Sequence, residues 1–212
     1  MKRAKKITLK TLSSFSRFGS RLWKWDTGET QKIQEMVGRI RRGKTALSRG
    51  KGEAFRESLA RELVARKFIL PRLKARYGAN LLAVLQSGSS QPGIRKSTRK
   101  QVKPPSDLDL IAIFSEQSMR VPGHTDFIAD LCLETQKKFG FPLQFSSSWP
   151  ERFGGHYTGF TAPPREAILA HNTIYGKAWM DEFRKTRTPN WKKEMPELRQ
   201  RLTQQEHYQG RE

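Results

Sequence analysis

A single cysteine, Cys132, stands in 212 residues. One thiol excludes an internal disulfide and a cysteine-based zinc cluster, and it fits a reducing compartment. Its apolar neighbours place it in a helix core rather than at a nucleophilic site. Long hydrophobic runs are missing too: Leu81 to Leu85 is typical of those present, far short of a membrane span. No apolar stretch of the secretory kind follows the basic start. Four histidines, His124, His156, His171 and His207, lack the spacing of a zinc site. There is no internal repeat.

Acids are scarce relative to bases. Lys and Arg number 41 against 20 Asp and Glu, a formal charge of +21. Such an excess repels itself and attracts polyanions, so nucleic acid, RNA in particular, is the expected partner and a membrane is not. The opposing reading is a solvated basic surface. Hydrophobic residues make up 35% of the chain and charged residues 29%, so part of the length lies outside any core.

The acid-free segment 1–25 carries Lys5, Lys6, Arg17 and Arg21 among Phe15, Phe18, Trp23 and Trp25. Cations for phosphates and aromatic faces for bases make it a candidate nucleic-acid arm. An acid-free, Ser-containing start also suits an organellar transit peptide or a disordered tail. The expected compartment is cytoplasmic, or an organellar matrix if the start is a transit peptide.

Asp26 and Glu29 have capping-box spacing, and Ile33, Met36, Val37 and Ile40 then repeat with helical period. The run Arg39-Ile40-Arg41-Arg42-Gly43-Lys44 suits the negative end of that helix or contact with RNA. A second helix is expected over 53–77, with Phe55, Leu59, Leu63 and Val64 on one face, a disturbance at Pro71 and a stop at Gly78. An apolar strand, 81–85, leads into Ser87-Gly88-Ser89. A basic, proline-containing loop spans 90–106, and Asp107 to Phe114 reads as the next strand. A helix is expected over 124–138, with Ile128, Leu131 and Cys132 inward, and a third strand over 141–145. Gly154-Gly155-His156-Tyr157 falls in a glycine-rich loop. Further helices are expected from Pro163 or Pro164 and around 197–205.

The chemistry concentrates at two places. On a strand, Asp107 and Asp109 point to one face, with Cα atoms about 6.6 Å apart. Two carboxylates so placed suit Mg²⁺ or Mn²⁺, whose shell is completed by water and substrate phosphate. Gly88 lets backbone amides approach a phosphate, and the Ser89 hydroxyl adds a hydrogen bond. Each half is common by chance; their order gives them weight.

Gly88-Ser89 followed by Asp107-Leu108-Asp109-Leu110 resembles the nucleotidyltransferase superfamily, in its small members with a Gly-Ser motif ahead of Asp-hydrophobic-Asp. The resemblance covers roughly 55–185 and includes Ile174-Tyr175-Gly176. It implies an α/β fold, a small mixed sheet flanked by helices, with a basic helical extension over 1–52, a core over 53–185 and a polar tail over 186–212. It implies that Gly88, Ser89 and Ser90, with Arg95 and Lys96, hold a nucleoside triphosphate. Asp107 and Asp109 would hold Mg²⁺ or Mn²⁺ and carry the catalysis. Arg99, Lys100 and Lys103 would steady a nucleic-acid acceptor.

Two features depart from the family pattern. The spacer between the motifs is longer and cationic. At Leu143-Gln144-Phe145, Gln144 occupies the place of the third carboxylate, and a neutral amide cannot act as a base. Asp126, Asp130 and Glu151 are possible replacements, each with a plainer surface reading. The expected function is metal-dependent transfer of a nucleoside monophosphate from an NTP to a nucleic-acid or protein acceptor. The alternative is a catalytically silent member serving as an RNA-binding or ribonucleoprotein component. A protein-modifying adenylyltransferase is a third possibility.

Overall fold

A computed structural model describes residues 27–87, 106–115, 122–150, 153 and 172–187. The chain forms a mixed α/β fold: a four-stranded sheet with helices packed on both faces. The order is α1 (Thr27–Arg41), α2 (Glu53–Val64), a π-helical turn (Ala65–Ile69), α3 (Leu70–Tyr77), a 3-10 turn (Gly78–Asn80), β1 (Leu81–Ser87) and β2 (Leu108–Phe114), followed by α4 (His124–Phe139), β3 (Leu143–Ser148), β4 (Asn172–Tyr175) and α5 (Lys177–Arg187). No helix among the described residues is long and apolar enough to cross a membrane.

Strand order across the sheet is β3-β2-β1-β4. β1 runs antiparallel to both β2 and β4, whereas β2 and β3 are parallel. Alternation along β2 assigns its residues to two faces. Leu108, Leu110, Ala112 and Phe114 pack into the main core with α1 to α4. Ile111 and Ile113 join Ala83, Leu85, Phe153 and Met180 in a smaller cluster beneath α5. Burial on both sides explains why β1 and β2 read as nearly continuous apolar runs.

The helix expected over 53–77 is continuous in path but not in winding. Pro71 has no amide hydrogen, and its ring crowds the preceding turn of a regular α-helix. The backbone answers by widening: the Leu70 amide donates to the Ala65 carbonyl, a five-residue step. Gly78 ends α3 with φ at 54°. Burial on α1 follows the expected period at Ile33, Val37 and Ile40, but Met36 is 39% exposed, on the helix flank. α1 shares the main core with the helices that follow it. β3 begins two residues later than expected and runs on to Ser148; Phe141 and Pro142 precede it.

Gly176 sits between β4 and α5 with φ at 73°. A Cβ there would lie 2.0 Å from the Leu82 carbonyl oxygen, so only glycine lets this turn close against β1.

Candidate metal and nucleotide site

β2 begins at Leu108, one residue later than expected, so Asp109 lies in the strand and Asp107 on the bend that enters it. Asp109 lies in register with Gln144 on β3 and with Ser87 on β1. Register partners project to the same side, and the Gln144 amide reaches Asp107, donating from Nε2 to Oδ2. Asp107, Asp109 and Gln144 therefore share one face, the one that carries Ile111, Ile113 and α5. Asp107 and Asp109 are half-buried and Gln144 is exposed, so the group opens to solvent at the sheet's end. Asp107 also accepts from the Ser106 hydroxyl at 3.2 Å.

Ser87, fully buried, is the last residue of β1 and pairs with Asp109. Gly88-Ser89 follow Ser87 directly in the sequence. Gly88, Ser89, Ser90, Arg95, Lys96, Arg99, Lys100 and Lys103 lie outside the described residues. So do Lys5, Lys6, Arg17 and Arg21 in the arm, Glu151, the glycine-rich loop with His156, His171, and the helices expected after Pro163 and around 197–205.

Several side chains around this group were not evident from the sequence. Arg61 on α2 is 4% exposed, and its Nε donates to the Asp107 carbonyl oxygen at 3.1 Å. Its guanidinium also pairs with Glu57 and lies over the Phe141 ring, 4.7 Å from the centroid. Arg41, from the end of α1, binds the same Glu57 carboxylate at 2.8 Å. Burial pulls the Arg61 guanidinium below its ordinary pKa. The hydrogen bond and charge of Glu57 oppose this, and so does the charge of Asp107. Glu57 and Arg61 have the i, i+4 spacing of a helical ion pair, which was the only available signal. Nothing in that spacing links either residue to Asp107.

Arg184 on α5 is also 4% exposed. It pairs with Asp181 at 3.2 Å and donates to the Thr173 hydroxyl at 3.1 Å. Thr173 is the register partner of Leu85, so this buried cation lies on the same face as the aspartates.

Of the alternative carboxylates, two fall on described residues, and both have a surface position. Asp126 and Asp130 are exposed on α4. His124 is a strut: Nδ1 meets the Tyr77 hydroxyl at 2.8 Å and Nε2 the Ser147 hydroxyl at 3.0 Å, tying α4 to α3 and β3. Burial and the nearby Arg76 lower its pKa. Cys132 is half-buried, and burial raises its thiol pKa, away from a nucleophilic thiolate.

Among the described residues no group of three His, Cys, Asp or Glu side chains is placed to hold a metal. Two carboxylates do fit a magnesium shell completed by water and phosphate oxygens. The Gln144 carbonyl oxygen is a third, neutral donor. Compared with known protein families, with curated proteins and with solved structures, the chain matches none.

Proposed function

We propose that the protein is a metal-dependent nucleotidyltransferase, moving a nucleoside monophosphate from an NTP to an acceptor, with RNA the favoured acceptor. One observation carries the reading: Asp107 and Asp109 meet at Gln144 on one face, and Asp109 pairs with Ser87, the residue that precedes Gly88-Ser89 in the sequence. In the reaction an acceptor hydroxyl oxygen bonds to the α-phosphorus and loses its proton to solvent water, the bond from that phosphorus to the β-phosphate bridge breaks, and pyrophosphate leaves. Bound Mg²⁺ or Mn²⁺ would neutralise charge on the triphosphate and the leaving group.

This chain's own residues would do the rest. Asp107 and Asp109 supply the two anionic ligands. Gly88 and Ser89 receive the β- and γ-phosphates, with Ser90, Arg95 and Lys96 alongside. Arg61 is a positioning residue: by holding the Asp107 backbone it fixes where that carboxylate stands. The test is transfer from labelled NTPs with Mg²⁺ or Mn²⁺ to RNA and to protein acceptors. Product formation by the wild type that Asp107→Asn abolishes supports the reading.

A second reading has its own observation. Gln144 stands where a third anionic ligand would complete the group, and its amide is directed at Asp107. A neutral amide in that place weakens cation binding, which favours a catalytically silent RNA-binding or ribonucleoprotein component. Under that reading no metal or triphosphate elicits transfer. Gln144→Asp would tighten Mn²⁺ binding by restoring the charge.

A further inference from the structure

The loop joining α1 to α2 has a charge pattern that the helix ends do not account for. Between Met36 and Gly52 there are six cations, Arg39, Arg41, Arg42, Lys44, Arg49 and Lys51, and no acid. Arg41 is committed to Glu57. The other five are exposed, and none forms an ion pair among the described residues. Arg39 and Arg42 lie at the negative end of α1, where helix-dipole compensation suffices to explain them. That effect fades within one turn, so Arg49 and Lys51 fall beyond its reach, while Lys44 stands at the helix end itself, its N–H bonded to the Arg39 carbonyl.

The loop backbone is tied down. Gly43 N–H donates to the Ile40 carbonyl at 2.9 Å and Lys44 N–H to the Arg39 carbonyl at 2.8 Å. Ser48 is fully buried, with its hydroxyl 2.6 Å from that of Thr45, and Arg49 N–H donates to the Thr45 carbonyl at 2.9 Å. Like charges held together on a fixed backbone oppose folding, and a polyanion relieves that opposition. Among the described residues of this loop no aromatic ring is exposed for base stacking; Leu47, at 70% exposure, is its large apolar side chain. One leucine is too little to anchor a bilayer surface, where about 0.8 kcal/mol per buried CH₂ is available. Cations without stacking platforms suit a phosphodiester backbone.

We propose that the α1–α2 loop is a docking surface for the phosphodiester backbone of a nucleic acid, with Lys44, Arg49 and Lys51 as its principal contacts. The surface also adjoins the candidate site. Arg41 at its base shares Glu57 with Arg61, and Arg61 holds the Asp107 carbonyl. Three side chains, Arg41, Glu57 and Arg61, thus connect the base of the loop to the Asp107 backbone. That the docked strand is the acceptor rests on the transferase reading; the docking itself does not.

The experiment measures binding of the full chain to labelled single-stranded RNA, duplex RNA and duplex DNA across a salt series. It compares wild type with a loop triple variant, Lys44→Glu, Arg49→Glu and Lys51→Glu. A control triple variant, Lys32→Glu, Lys67→Glu and Lys177→Glu, changes net charge equally at exposed sites elsewhere. The loop variant is expected to lose at least about tenfold in affinity at low salt, and the slope of log K against log salt to fall by about 2 to 3. The control is expected to change the slope by less than about 1. The three nucleic acids identify which backbone the loop prefers. A glutamine version of the loop triple, with a smaller loss expected, guards against misfolding caused by added acids. An unchanged slope in the loop variant, or an equal loss in the control, overturns the proposal. So does equally tight, loop-dependent binding to anionic phospholipid vesicles. Loss of binding in the loop variant together with no transfer by the wild type would retain the docking surface and reject the transferase reading.

Discussion

The two faces of the sheet are built for different purposes. On one, Leu108, Leu110, Ala112 and Phe114 lie under four helices, and Phe68, Phe139 and Phe141 add aromatic contacts, Phe68 and Phe139 meeting edge to face at 4.9 Å. On the other, a small cluster around Ile111, Ile113 and Met180 covers only part of the sheet. That face ends in half-buried aspartates and an exposed glutamine. The difference follows from β2 itself. Its even-numbered residues are all apolar, while its odd-numbered residues change from carboxylate to isoleucine at Ile111. One face supplies stability along its whole length; the other gives up apolar contact at its end to present charge.

The largest expected effect is at the joint that holds the thinner face together. Gly176→Ala places a methyl group 2.0 Å from the Leu82 carbonyl at a positive φ. The expected loss exceeds about 3 kcal/mol in urea unfolding, since backbone must move. A loss under about 1 kcal/mol would show that the turn shifts freely and that β4 and α5 are less tightly docked.

Next comes a pair of adjacent residues that face opposite ways. Leu110→Ala opens a cavity in the main core and is expected to cost about 2–5 kcal/mol. Asp109→Asn, one residue earlier, keeps the side chain's size and is expected to cost less than Leu110→Ala, no more than about 1 kcal/mol, while removing transfer activity. Equal destabilisation by both would erase the distinction between the faces.

Arg61 links the two faces. Arg61→Ala is expected to cost about 1–3 kcal/mol, because Arg41 still neutralises Glu57. It is also expected to lower transfer, because the Asp107 carbonyl loses its tether. Arg61→Lys keeps the charge but not the forked geometry, so partial stability with reduced transfer is expected. Unaltered transfer in both variants would deny Arg61 its positioning role.

The smallest effect is a pH dependence on the helix face. The folded-state pKa of His124 lies below its ordinary 6.5, chiefly through burial and then through Arg76. Unfolded chains therefore take up the proton first. Stability is fully present above about 6.5 and is lost as pH falls from there toward the folded value. His124→Gln is expected to flatten that part of the stability profile measured by thermal unfolding. A wild-type and variant pair with parallel profiles below 6.5 would remove His124 as the cause.

Much of this arrangement was legible in the sequence. Periodicity placed α1, α2 and α4, alternation and apolar runs placed β1 and β2, and Pro71 marked the disturbed turn. The i, i+2 rule put Asp107 and Asp109 on one face, although the strand begins only at Leu108, and Gln144 was matched by resemblance alone; its bond to Asp107 is seen in the structure. Other features were hidden for physical reasons. Met36 fits the helical period but falls just outside the buried arc of α1. Arg61 reads as an ordinary helical ion pair, because its bond to the Asp107 carbonyl joins residues 46 positions apart. The buried position of Arg184 depends on how α5 lies against β4, which no local pattern encodes. Gly176 was named in the sequence only as part of the Ile174-Tyr175-Gly176 resemblance; its close approach to the Leu82 carbonyl follows from the pairing of β4 with β1.

The central claim is that Asp107 and Asp109 form a working metal-dependent site, and the most direct measurement is nucleotide transfer by wild type and Asp107→Asn side by side. Each protein is incubated with labelled NTP, Mg²⁺ or Mn²⁺, and RNA or protein acceptors, with urea unfolding confirming equal folding. Labelled product is expected from the wild type and none from the variant. No wild-type product under any metal or triphosphate, or equal product from both proteins, would contradict it.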